Sequence, residues 1–185
     1  MNTILFFKAT LIFSILALTG CSTFTGISNA YPKNWPEVLN TGSECPDISG
    51  IYKDRGLSTT YNINFKEYLA NRLDNSDITF QAHTTRIDKI NDSAYSVVAL
   101  NAQGKTIETF ILSRDTGDYE CMEGKIWLKI IRDPWNLLAG HVGSITQIGY
   151  TKAIDGTLIG EERNGAKLQF SQVFWYQWQQ VEQKN

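Results

Sequence analysis

Two histidines, three cysteines and five tryptophans carry most of the distinctive side-chain chemistry in this 185-residue chain. General acid–base work needs a titrating group held against its partner. Neither His83 nor His141 has a carboxylate or cysteine at metal-ligand spacing, and His141 follows Gly140 in a loop-like stretch. His141 with Asp133 or Ser144 is the one arrangement a hydrolase would use, and Gly143-Ser144 lacks the flanking pattern of a nucleophile elbow. Glu161-Glu162 is a pair of carboxylates, yet neighbours on a strand point to opposite faces and cannot address one substrate. As hairpin flanks, both are expected in solvent. With no phosphate-binding glycine loop or other cofactor motif, the expectation is a protein that is not an enzyme and takes no cofactor and no metal.

The indoles are better candidates for binding. Trp127 and Trp175 fall on the more polar parity of their strands, and Trp135 follows Pro134 in a loop. Rings left exposed there would bind a sugar, a peptide or a partner surface. The competing expectation packs them under the loop through Trp135 or beneath the segment around Trp35.

The amino terminus carries a different chemistry. Lys8 precedes a mostly apolar run from Ala9 to Leu18, followed by the small residues Thr19 and Gly20, which is the layout of a secretory signal. About ten residues make roughly 15 Å of helix, short of the roughly 20 residues that a membrane span takes. Leu18-Thr19-Gly20-Cys21 resembles the lipobox of bacterial lipoproteins. That resemblance implies cleavage before Cys21 and transfer of a diacylglyceryl group to its sulfur, the most nucleophilic side chain available. It also implies palmitate-type acyl chains as the membrane anchor, two or more of which hold stably where one does not. In such lipoproteins an Asp after the cysteine favours retention in the inner membrane. Ser22 stands here, so the expected location is the outer membrane, facing the periplasm.

With Cys21 assigned to lipid, Cys45 and Cys121 remain as a pair in an oxidising compartment and are expected to form a disulfide. They are too far apart for a Cys-x-x-Cys redox motif. Of the charged residues only Lys8 is lost with the leader, so the formal charge moves from −2 to −3. Interleaved charges without a basic patch exclude a nucleic-acid surface from the expected partners.

Three parts follow: a signal peptide over 1–20, a tether and surface segment over 21–44, and one β-rich domain over 45–181. Pro32 and Pro36 punctuate the tether, and Trp35 is an anchor for docking it. The run NFKEYLANRL predicts a helix with Phe65, Tyr68, Leu69 and Leu73 on one face, Asn64 as N-cap and Glu67 in the capping-box position. Ile78–Ala82, Tyr95–Leu100, Thr106–Leu112, Lys125–Ile130, Thr146–Ile154 and Thr157–Glu162 read as strands, with turns at Asn91-Asp92 and Asp155-Gly156. In Lys125–Ile130 the parity of Ile126 and Leu128 is buried and that of Lys125 and Trp127 is partly wet. The last strand is the clearest, with Ala166, Leu168, Phe170, Phe174, Tyr176 and Trp178 on one parity. The fold class is mainly β with one short helix, an antiparallel meander forming a small barrel or a sandwich.

The expected function is a lipid-anchored, non-catalytic periplasmic domain that binds an envelope protein or an apolar ligand. Asp47-Ile48-Ser49-Gly50-Ile51-Tyr52 resembles the first strand of lipocalin-like barrels, without their Gly-x-Trp motif. Small periplasmic lysozyme inhibitors combine lipidation, a β-barrel and a disulfide, and form the second binding class. A hydrolase using His141 is the third reading.

Overall fold

The computed structural model describes residues 30–39, 41–42, 44–59, 67–74, 82–129, 131–132, 144–166 and 169–181. Cys21 with its lipobox, Trp135, His141, Asp133, Asn64, Phe65 and the Ile78–Gln81 run lie outside these residues. In chain order come β1 (Gly50–Lys53), β2 (Arg55–Ser58), β3 (Glu67–Tyr68), α1 (Leu69–Asp74), β4 (Thr84–Asn91), β5 (Ala94–Leu100) and β6 (Thr106–Ser113). They are followed by β7 (Tyr119–Met122), β8 (Lys125–Leu128), β9 (Ile131–Arg132), β10 (Ser144–Lys152), β11 (Leu158–Ala166) and β12 (Gln169–Trp178).

All pairing is antiparallel, in two sheets. One has the order β1-β4-β5-β6, and the other runs β3-β2-β12-β11-β10-β8-β7 with β9 also on β10. Neither path closes on itself among the described residues, so of the barrel and sandwich expected, the sandwich-like arrangement is the one present. Its two inner faces share one core. Ile87, Val97 and Leu112 come from the first sheet, and Ile126, Ile148, Tyr150, Leu158, Tyr176 and Trp178 from the second. Beyond β12 the chain crosses between sheets: Gln180 bridges Tyr52, and the Lys53 and Val181 amides donate to Gln179 and Ile51 carbonyls at 2.9 and 2.7 Å. The C-terminal segment thereby covers the edge of β1, which would otherwise offer unpaired backbone groups.

Turn residues set the hairpins where the sequence marks them. Gly156 adopts φ 86° between β10 and β11, and Asp155 Oδ1 accepts the Thr157 amide at 2.9 Å. The two-residue loop Glu123-Gly124 joins β7 to β8 with φ of 55° and 67°, the left-handed pair that a tight hairpin requires. Cys45 and Cys121 are disulfide-bonded, with Cα atoms 5.1 Å apart, tying the start of the domain to β7. Two buried tyrosines secure the same lead-in, as Tyr95 Oη donates to the Pro46 carbonyl at 3.1 Å and Tyr52 Oη to that of Ile48 at 2.9 Å.

The helix departs from the expectation. It begins at Leu69, because Glu67 and Tyr68 spend their backbone groups on pairing with Gly56 and Arg55 of β2. Its amino end is capped across the fold: Asp54 accepts the Leu69 amide on its carbonyl at 2.8 Å and the Ala70 amide on Oδ1 at 2.9 Å. Leu69 and Leu73 are buried, as their spacing predicts. Strand β4, over Thr84–Asn91, was not anticipated from the sequence.

Candidate functional site

Residues on β11 alternate between the two faces of the larger sheet. Leu158, Gly160, Glu162 and Asn164 face the shared core, whereas Ile159, Glu161 and Arg163 face outward. On the outer face one register row collects the sequence candidates. Trp127 pairs with Gly149, Gly149 with Glu161, and Glu161 with Trp175. The fold thus brings Trp127 and Trp175 onto one face, separated by a glycine and a carboxylate.

Trp127 is not partly wet; it is fully buried. Gly149 makes room for it, since a Cβ at that position would lie 2.7 Å from the indole. The Arg163 guanidinium stacks over the ring at 4.1 Å from its centroid, and the indole nitrogen donates to the Met122 carbonyl at 3.0 Å. Trp175 is half-buried. The Tyr31 ring meets it edge-on at 5.1 Å between centroids, and Trp35 lies against Tyr31 at 6.1 Å. From there the chain reaches the end of β10, where Val38 bridges Ala153, the Leu39 amide donates to Lys152 and the Ile154 amide to Glu37. The segment around Trp35 is therefore docked on its own domain.

Glu161 and Glu162 are both buried, which corrects the expectation that they are solvated flanks. Arg163 Nε donates to Glu161 Oε1 at 2.7 Å, Lys125 Nζ lies 3.2 Å from Oε2, and Arg163 also reaches Glu123 at 2.9 Å. Burial opposes the charge of Arg163, but its hydrogen bonds to Glu161 and Glu123 outweigh that and raise its pKa. The same bond draws the Glu123 carboxyl below its ordinary value. On the core face Glu162 meets Arg72, accepts from Tyr176 Oη at 2.7 Å and from Asn164 Nδ2 at 2.5 Å. The two carboxylates are compensated within the fold and do not form an acid–base pair.

The parity of the last strand that would line an apolar cavity is packed as core at its C-terminal end. Trp178 is fully buried, with Tyr176 stacked on it at 5.9 Å and Tyr150 tilted against it at the same centroid distance. Towards its N-terminal end Phe170 is exposed. His83 is exposed and its backbone joins Asp54 and Leu100; Ser144 opens β10.

A groove of about 730 Å³ lies beside Trp127, lined by Arg114 and Gly117 of the β6–β7 turn, Glu120, Lys129 and Gln147 among others. Tyr119 lines it too, and its buried hydroxyl has no hydrogen-bond partner among the described residues. A buried hydroxyl without a partner costs about 1–3 kcal/mol unless something binds it. Arg114, Glu120 and Lys129 are exposed around it. Sequence reasoning missed this groove, because Gln147 alternates like any polar strand residue and Arg114 sits in a turn. No family model matches the chain, and no match emerges among curated proteins or solved structures.

Proposed function

We propose that this protein is an outer-membrane lipoprotein, acylated at Cys21, whose periplasmic β-sandwich binds an acidic segment of an envelope protein in the groove beside Trp127. The observation that carries the binding half is the buried Tyr119 hydroxyl, without a partner among the described residues, in a groove that also presents the Arg114 guanidinium and the Lys129 ammonium. A hydroxyl offers both donor and acceptor to a peptide backbone, and two cations select carboxylates. A sugar fits less well, because Arg163 covers the Trp127 indole and Tyr31 meets that of Trp175. A carried apolar ligand fits less well too, since Tyr176 and Trp178 fill their side of the last strand themselves. The location rests on Leu18-Thr19-Gly20-Cys21 after the apolar run, and the Cys45–Cys121 disulfide suits an oxidising compartment.

The binding half is tested in cells with a photo-crosslinking side chain in place of Glu120 in the full chain. The expected result is a discrete product with one envelope protein, lost in Arg114→Glu/Lys129→Glu. No product, or the same product from Ile90 in the other sheet, contradicts the proposal.

A further inference from the structure

The path of the amino-terminal segment has a consequence for orientation at the membrane. Fully extended, Cys21 to Ala30 reaches at most about 30 Å, less than the roughly 35–40 Å across a folded domain of this size. A chain held at Cys21 therefore keeps the side of the domain where Tyr31 enters within about 30 Å of the bilayer. That side exposes several aliphatic side chains beside the charged Lys33, Glu37 and Asp155. Leu57 pairs with Gln177, one step along the same face from Trp175, and is 60% exposed. Ile154, whose amide pairs with Glu37, is 64% exposed, and Leu39 beside Lys152 is 41% exposed. Between these flanks lie the half-buried rings of Tyr31, Trp35 and Trp175, the kind of amphipathic side chain that settles at a membrane interface.

We infer that the outer face of the larger sheet around Tyr31, Trp35 and Trp175, flanked by Leu57 and Ile154, rests on the surface of the bilayer that holds the acyl chains of Cys21. The inference rests on the acylation proposed above. The anchor holds the face near the lipid, and the exposed aliphatic residues enter the headgroup boundary. Tyr31 contributes an aromatic body and a hydroxyl that donates to the Pro36 carbonyl at 2.5 Å. The opposite sheet turns Ile90 and Ile111 away from the membrane.

The test uses the full chain purified from membranes and reconstituted in phosphatidylethanolamine–phosphatidylglycerol vesicles whose acyl chains carry bromine near the headgroup. Mass spectrometry on the same preparation establishes whether Cys21 bears the diacylglyceryl group. The expected result is acylated protein whose tryptophan fluorescence is quenched by the brominated lipid. Quenching falls roughly twofold in Trp35→Phe, in Trp175→Phe and in Leu57→Asp/Ile154→Asp, and not in Ile90→Asp/Ile111→Asp. The aspartate pairs sit at exposed positions, so both fold. Acylated protein with no quenching, or with equal quenching in the two aspartate pairs, overturns the docking face alone. A chain without acyl groups overturns the anchor and the docking face with it.

Discussion

Glu161 and Glu162 are adjacent in the chain, both buried, and bound to separate sets of partners on opposite faces of β11. Glu161 is held by Lys125 and Arg163 on the outer face, while Glu162 is held by Arg72, Tyr176 and Asn164 on the core face. Removing one carboxylate takes a partner from partly buried cations, Lys125 and Arg163 for Glu161 and Arg72 for Glu162. Glu161→Gln and Glu162→Gln are each expected to destabilise by about 2 kcal/mol in urea unfolding. The two networks share no residue, so the double substitution is expected to cost close to the sum of the two. A strongly non-additive double mutant would show that the two sites communicate.

Gly149 is the position at which the sheet admits Trp127. A Cβ there meets three indole carbons at 2.7 to 2.9 Å, and a ring pinned beneath Arg163 has little freedom to retreat. Gly149→Ala is expected to cost about 1–3 kcal/mol. The penalty should shrink in a Trp127→Leu background, where the smaller side chain frees the space. A double-mutant cycle by thermal unfolding measures that coupling.

Asp54 is fully buried, and burial pushes its pKa up against the hydrogen bonds from Thr85 and Ala70 and the field of Arg55. For a carboxyl whose folded pKa exceeds the unfolded one, the folded state binds more protons between the two values. Stability therefore falls as pH rises from the ordinary carboxyl value through the folded one, and is level above it. Asp54→Asn keeps an acceptor for the Ala70 amide and is expected to flatten that segment of the stability–pH curve. Asp54→Ala loses the cap of α1 and is expected to cost about 1–2 kcal/mol at neutral pH. Urea unfolding across the acidic range checks both.

The Cys45–Cys121 bridge closes a loop with a sequence separation of 76 residues. Chain entropy assigns such a crosslink about 4 kcal/mol. Cys45→Ser/Cys121→Ser is expected to lower the unfolding midpoint accordingly. Reductant should produce a matching loss in the wild type and none in the double variant.

Legibility followed locality. The β10–β11 hairpin announced itself through Asp155-Gly156 and alternation on both sides, and Ile126 and Leu128 are buried as their parity predicts. The disulfide was legible once Cys21 was assigned elsewhere. What stayed hidden depends on partners remote in sequence. The start of α1 is set by Asp54 and by pairing with β2, so the local capping pattern at Asn64 and Glu67 misplaced it. Trp127 on a strand flanked by lysines reads as wet, until Gly149 and Arg163 enclose it from two other positions in the chain. Glu161 and Glu162 read as solvated because nothing nearby in sequence names Lys125 or Arg72 as their partners. The groove beside Trp127 combines a turn, three strands and a tyrosine hydroxyl whose lack of a hydrogen bond no sequence pattern encodes.

The central claim is that the sulfur of Cys21 carries lipid and that the chain begins there. The most direct test is mass spectrometry of the amino-terminal peptide from protein extracted from cell envelopes. The account predicts a peptide starting at Cys21 and heavier by a diacylglyceryl group and an amide-linked acyl chain. A peptide that retains Met1, or that begins elsewhere with Cys21 as a free thiol, would contradict it.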